Sequence, residues 1–247
     1  MSTLIILLAL ASLGSVLGLA GGIILLLRGK ILQETSLHLI SFAAGVMISA
    51  AFLDLLPEAI ENGSENTFLW CLLGMVGFFL VEDFILHFHH HEEHIHRIKP
   101  MALFIIAGDT VHNFIDGIVI AAALVTDLKL GFLVAVATFA HELPQEIGDF
   151  AVLLSTGMTK VRVFLANLFS ACAAFAGALL AYYFLGSTRG LLGPALGLAT
   201  GMFIYIASAD IMPELVRAKK RDSKWHTAGF FLLGIGLMFI LTKFIPD

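Results

Sequence analysis

Two short strings put imidazoles and carboxylates inside segments greasy enough to cross a bilayer: His112-Asn113-Phe114-Ile115-Asp116-Gly117 and His141-Glu142-Leu143-Pro144-Gln145-Glu146. An acid at the centre of a spanning helix costs about 2.5–3.5 kcal/mol on insertion scales. Asp109, Asp116, Glu142 and Glu146 together therefore carry a penalty on the order of 10 kcal/mol. Such groups persist in hydrocarbon only with partners, and a cation is the partner that suits them. Helical residues four apart are separated by about 40° around the axis. His112 and Asp116 thus share one face, with Asp109 one turn earlier on the same side and Asn113 about 100° round. In the second string the same geometry sets His141 beside Gln145, with Glu142, Asp149 and Glu146 fanning round. Two such helices, facing each other, offer imidazole, carboxylate and amide oxygen to one small volume. That donor set suits Zn²⁺, Fe²⁺ or Mn²⁺ and not the all-oxygen demands of Ca²⁺ or Mg²⁺. The alternative is a hydrogen-bond network between helices with no metal. The number of ionisable groups on two adjacent spans (Asp109, His112, Asp116, His141, Glu142, Glu146 and Asp149) favours an ion pathway.

The elements that must position these groups are membrane helices. Of 247 residues 59% are hydrophobic and 13% charged, with a mean hydropathy of +0.95, which excludes an ordinary soluble domain. About 20 residues make one span, and the apolar runs fall at 4–27, 37–60, 67–88, 101–125, 130–155, 161–185, 191–215 and 227–245. The reading is an all-α polytopic membrane protein of eight transmembrane helices, one transporter domain over 1–247. The first run lacks a basic leader, so it reads as a span and not as a signal peptide. Cys71 and Cys172 fall inside spans, as small apolar thiols. A net charge of −5 is too modest to imply nucleic acid. All but Lys129, Arg189 and Lys243 of the 14 Lys and Arg lie in connections after odd-numbered spans. Those connections are then cytoplasmic, with both termini extracellular or periplasmic and the chain in the cell (inner) membrane.

Gly45–Glu58 aligns without gaps onto Gly201–Glu214, matching at Gly45/Gly201, Ile48/Ile204, Ala51/Ala207, Asp54/Asp210, Pro57/Pro213 and Glu58/Glu214. An even-numbered and an odd-numbered span cross in opposite directions, so the expected repeat is inverted: spans 1–3 mirror 6–8 around central spans 4 and 5. The alternative, which the gapless match disfavours, is convergence of two similar helix ends on a polar exit. Asp54 with Glu58, and Asp210 with Glu214, are either way stations for cations or acids reaching headgroup water. Asn167 and Ser170 are candidate contributors to the site, or simply polar helix contacts. A cytoplasmic loop at about 87–99 gathers His87, His89, His90, His91, His94 and His96, a tract suited to loose capture of transition metals.

With these motifs in hand, the chain resembles the ZIP family of metal transporters over its whole length. It is most similar to the branch reading HNFxDG in span 4 and HExPHExGD in span 5, here His112 to Gly117 and His141 to Asp149. The resemblance implies eight helices, extracellular termini, a His-rich cytoplasmic loop after span 3, and movement of Zn²⁺ and related ions (Cd²⁺, Fe²⁺, Mn²⁺) toward the cytoplasm. It further implies that His112, Asp116 and His141 bind one metal, while Asn113 and Glu142, sharing Asp116, serve a neighbouring one. Gln145 departs from the pattern: it stands where the branch has His and offers a harder, weaker donor. The large extracellular domain of some animal members is not expected. The metal is cargo and not a cofactor; the other partner is the bilayer, with a homodimer as a candidate assembly. HELPQ also resembles a damaged HExxH, but Gln145 replaces the second His and Pro144 breaks the helix turn that motif needs, so an intramembrane metalloprotease is disfavoured and no enzyme is expected. A cation-diffusion exporter would have six spans and a soluble C-terminal domain. A carrier of organic solutes would want a cationic anchor, and spans 4 and 5 hold no Arg or Lys.

Overall fold

The computed structural model describes residues 3–62, 66–90, 98–187, 189–217 and 224–245, and every regular element among them is helical. In chain order these are α1 (Thr3–Ala11), α2 (Leu19–Ser49), α3 (Leu56–Glu61), α4 (Thr67–His90), α5 (Ile98–Thr126), α6 (Leu128–Ser155), α7 (Lys160–Ala171), α8 (Ala173–Ser187), α9 (Leu192–Tyr205), α10 (Met212–Arg217) and α11 (Lys224–Phe244). Wide π turns occupy Ser12–Val16, Ala50–Leu55 and Ile206–Ile211. His91, His94 and His96 lie outside the described residues, as do the side chains of His87, His89, His90, Asp210 and Glu214.

Among the described residues, six stretches are long and apolar enough to cross a membrane: Thr3–Leu27, Leu37–Glu61, Ile105–Thr126, Lys160–Leu185, Leu192–Ala209 and Trp225–Phe244. The third run of the sequence lies within α4, 24 residues long, which is apolar over Thr67–Val81. The fifth lies within α6, 28 residues long, whose His141, Glu142, Gln145, Glu146 and Asp149 lower its hydropathy. One boundary differs from expectation. α2 carries helical backbone through the connection marked by Arg28 and Lys30, because the residues there (Ile31, Leu32, Gln33, Glu34) are helix formers and a lone Gly29 is too weak to break them.

The local chemistry of the α5–α6 turn sets the depth of the polar strings. Only Asp127 separates the two helices, and its carboxylate caps α6 by accepting from the Leu130 amide at 3.0 Å. His112 and His141 therefore stand almost equally far along their helices from the turn, about 20 Å at 1.5 Å per residue. α6 ends at Gly157, whose φ of +84° is the left-handed conformation that glycine adopts without a Cβ clash.

Elsewhere the helices run side by side in matched register. Gly14, Gly18 and Gly22 approach Thr138, Glu142 and Phe150, so the first apolar run lies parallel to α6. Gly45 meets Phe231 while Thr242 bonds Asp54, so the second run lies parallel to α11. α4 pairs with α9 through Gly74 at Leu198 and Gly201 at Cys71; α5 pairs with α8 through Gly117 at Ala174 and Gly177 at Phe114. At Gly45, Gly74, Gly117, Gly177 and Gly201 an added Cβ would collide with a backbone carbonyl of the partner helix, the close approach on which membrane helix packing relies where lipid is as apolar as leucine. Pro57 opens α3, and Pro213 stands in the equivalent place in α10. A proline leaves the carbonyl four residues earlier without its helical donor, and the π turns just upstream accommodate that lost bond.

Gly117→Leu forces this side chain against α8 and should lower stability by about 1–3 kcal/mol or prevent folding. Gly148→Leu, where nothing lies within 4 Å, should leave stability unchanged. Thermal unfolding of the two variants in detergent, read by size-exclusion recovery, checks this; equal melting would refute the packing account.

Candidate metal centre

Four side chains converge where α5 and α6 face each other: His112 and Asp116 from the first, His141 and Glu142 from the second. The His112 Nε2 and His141 Nε2 atoms are 3.1 Å apart. Asp116 Oδ2 lies 3.6 Å from His112 Nε2 and 3.3 Å from His141 Nε2. Glu142 Oε1 lies 3.5 and 3.7 Å from the same two nitrogens. Ligands held about 2.0–2.1 Å from one tetrahedral ion stand about 3.3 Å from each other. Five of the six edges thus match a zinc-sized tetrahedron with two nitrogen and two oxygen corners, and the two oxygens lie within 4.8 Å of each other.

The tautomer of His141 follows from its own helix. Its Nδ1 lies 3.2 Å from the Ala137 carbonyl one turn earlier, and a carbonyl only accepts, so Nδ1 carries the proton and Nε2 presents a lone pair to the centre. A backbone oxygen holding the far nitrogen is the usual way a metal-binding imidazole is oriented. Two aromatic rings wall the imidazoles from the other side: Phe78 of α4 stands 5.6 Å from His112 and Phe203 of α9 stands 6.1 Å from His141, both edge-on. His112 keeps 11% of its side-chain surface accessible, while Asp116 and Glu142 keep none.

A network without metal would need donors for these acids. Both oxygens of Asp116, Glu142 and Glu146 are buried without a hydrogen-bond partner among the described residues. A buried carboxylate without donors takes up either a proton or a cation, and a dication offsets the two charges of Asp116 and Glu142 at once. Asp109, Glu142 and Glu146 form a second group whose oxygens also lie within 4.8 Å of one another. Asn113 belongs to this side: its amide donates to Asp109 Oδ1 at 2.9 Å and to the Asp109 carbonyl at 3.2 Å, and its own Oδ1 is buried without a partner. Gln145 lies beside Asp109 as well, as does Ser170 of α7. Asn167 instead donates to the Val163 carbonyl of its own helix at 2.8 Å. Asp149 is half-buried and outside both groups.

The acids of the second span lie apart from this centre. Asp54 is buried in the π turn and accepts from Thr242 at 2.8 Å, leaving Oδ2 without a partner; Glu58 accepts from Asn62 at 2.9 Å. The aromatic walls Phe78 and Phe203 had no signal in the sequence beyond their hydrophobicity. The Ala137 contact did have one, since the residue four before a helical histidine always offers its carbonyl.

A profile described as ZIP Zinc transporter matches residues 1–94 and 88–242. The chain belongs to the ZIP zinc transporter family. Among curated relatives it is 36% identical over 154 residues to zinc transporter ZIP10 of Danio rerio, covering 60% of this chain and 18% of that protein. It is 40% identical over 145 residues to zinc transporter ZIP4 of Rattus norvegicus, with 58% and 21% covered. With zinc transporter foi of Drosophila melanogaster the figures are 35% over 157 residues, 61% and 21%. The chain therefore matches only about a fifth of the length of these relatives. ZIP membership makes this a multi-span membrane protein of a family of transporters and not of enzymes, against the metalloprotease alternative.

X-ray absorption on the purified, zinc-loaded protein should give a first shell of nitrogen and oxygen at about 2.0–2.2 Å with the outer-ring scattering of two imidazoles. His112→Ala and His141→Ala should each remove one imidazole from that signature. A six-oxygen shell, or a wild-type spectrum in both variants, would refute the assignment of these ligands.

Proposed function

We propose that this chain carries divalent transition-metal ions, zinc foremost, across the cell membrane toward the cytoplasm, through the centre between α5 and α6. The observation that carries the proposal is the zinc-sized tetrahedron of two imidazole nitrogens and two carboxylate oxygens, buried and short of donors. The names of the relatives, all zinc transporters, point to the same cargo. His112, Asp116, His141 and Glu142 hold the ion. Asn113, Asp109 and Glu146 form the neighbouring station, with Gln145 on that flank. Because two carboxylates and two imidazoles bind Fe²⁺, Mn²⁺ and Cd²⁺ as well, selectivity is one of degree. Asp54, Glu58 and Asp149 serve the way in and out, Asp210 and Glu214 are the counterparts of Asp54 and Glu58 in the repeated sequence, and the His-rich tract of about 87–99 captures metal on the cytoplasmic side.

The same reading includes eight spans and an inverted repeat within a single transporter domain. The register that lays Gly45 on Gly201 also lays Ala50–Leu55 on Ile206–Ile211 and Leu56–Glu61 on Met212–Arg217, wide turn on wide turn and short helix on short helix. The parallel pairs agree: first run with α6, second with α11, α4 with α9, α5 with α8. Exchanging spans 1–3 for 6–8 and span 4 for 5 turns this set of pairs into itself. Such a repeat places the ion site at the interface of its halves, near the midplane.

In proteoliposomes, His112→Ala, Asp116→Ala and His141→Ala should each reduce zinc flux by a factor of roughly 100 or more, as loss of several kcal/mol of ion binding requires. Normal flux in a folded His112→Ala/His141→Ala double variant would sink the transport site.

Orientation has its own test. Cysteines at His90 and Lys220 should react with a membrane-impermeant thiol reagent only from the cytoplasmic side, and one at Ser64 only from outside. External labelling at His90 in sealed cells would reverse the topology.

A further inference from the structure

An apolar cavity of about 260 Å³ lies between α4, α5 and α9, on the far side of Phe78 from the metal centre, and the zinc chemistry makes no use of it. Its walls include Gly77 and Phe78 of α4, Ile115 and Ile118 of α5, and Leu198 and Met202 of α9. All its lining side chains are apolar, which excludes a hydrated ion, a headgroup or a peptide backbone as occupant. The cavity opens sideways, at Leu73 (43% exposed), Val81 (37%) and Leu198 (38%). On the outer face of membrane helices, the medium at such an opening is hydrocarbon. Gly77 deepens it: a Cβ built there meets nothing within 4 Å, unlike Gly74 one turn earlier, which is pressed against the Leu198 backbone.

We propose that this groove seats one unbranched acyl chain of a bilayer lipid, and that the seated chain backs Phe78 where its ring meets His112. Phe78 is the shared wall. Its ring stands 5.6 Å from His112 and 5.8 Å from Tyr205, so one face borders the metal centre while the residue also lines the groove. A chain in the groove fills the space into which Phe78 would otherwise swing, and so keeps the apolar wall closed over the imidazole. The size and the lateral mouth suit part of one hydrocarbon chain, and the lack of any polar lining atom from a side chain leaves the headgroup outside.

The seating of the chain rests on the membrane-spanning architecture alone, whereas the role given to Phe78 rests on the transport function proposed above, so the two measurements fail separately. In a Trp70→Phe/Trp225→Phe background, Leu73→Trp reports from the mouth of the groove, and Leu232→Trp, 63% exposed on α11, reports from an ordinary lipid-facing surface. With phosphatidylcholine brominated along its chains added as a minor component, Leu73→Trp should be quenched more than Leu232→Trp. Adding Gly77→Leu, which fills the groove without touching backbone, should bring the two to the same level. Equal quenching with Gly77 intact, or an excess that survives Gly77→Leu, overturns the proposal. So does dissociation of a dimer by Gly77→Leu, seen by crosslinking, since the occupant would then be a second copy of the chain. The second measurement is zinc flux in dioleoyl against methyl-branched diphytanoyl vesicles: wild type should lose flux in the branched lipid and Gly77→Leu should not. The same drop in both proteins removes the role assigned to Phe78.

Discussion

Two carboxylates without hydrogen-bond donors among the described residues, Asp116 and Glu142, are the constraint around which the rest of this molecule is arranged. In a low-dielectric interior, an acid that finds no hydrogen bond takes up a proton or holds a positive charge close by. Two acids converging with two imidazoles form a donor set that suits a compact divalent ion content with mixed nitrogen and oxygen ligands. Everything that is unusual in the α5–α6 pair serves that demand. The Ala137 carbonyl holds the His141 ring with its lone pair inward, and the Phe78 and Phe203 rings stand against the two imidazoles.

The scaffold answers with close contact in place of a hydrophobic effect, which has no force between helices already in hydrocarbon. Glycines let α5 lie against α8, and let the first apolar run lie against α6 beside Glu142 itself. The polar helices are thereby flanked by backbone and small side chains, and the acids stay out of lipid. The short Asp127 turn then does the remaining positioning, since two helices counted out equally from one capped turn bring their histidines to the same depth.

Much of the centre was legible in the sequence, for identifiable reasons. Helical spacing of four puts His112 and Asp116 on one face, and the matching distance from Asp127 puts His141 opposite them. The wheel was less informative about flanks. Gln145 shares a face with His141 on paper yet lies beside Asp109, because spacing along one helix does not say which side of that face the neighbouring helix occupies. Asn113 likewise turns toward Asp109, its residue four earlier. The link from Thr242 to Asp54 could not be read at all, since no local rule joins residues so far apart in the chain. The continuous α2 was missed because basic residues marked a boundary of the membrane and not of the helix.

The donors at the centre are divided evenly: His112 and Asp116 belong to α5, His141 and Glu142 to α6, and only the two imidazole nitrogens, 3.1 Å apart, lie near each other across the seam without an acid between them. Each helix is stiff along its axis, so each contributes a fixed pair of jaws. If α5 slipped along α6 by a single residue's rise, about 1.5 Å, every edge that crosses the seam would change while the edges within each pair stayed as they were. A tetrahedral ion tolerates little of that before it is left with two ligands in place of four. In the proposed transport, grip and letting go are therefore separated by a displacement smaller than one helical turn, with no bond inside either helix broken.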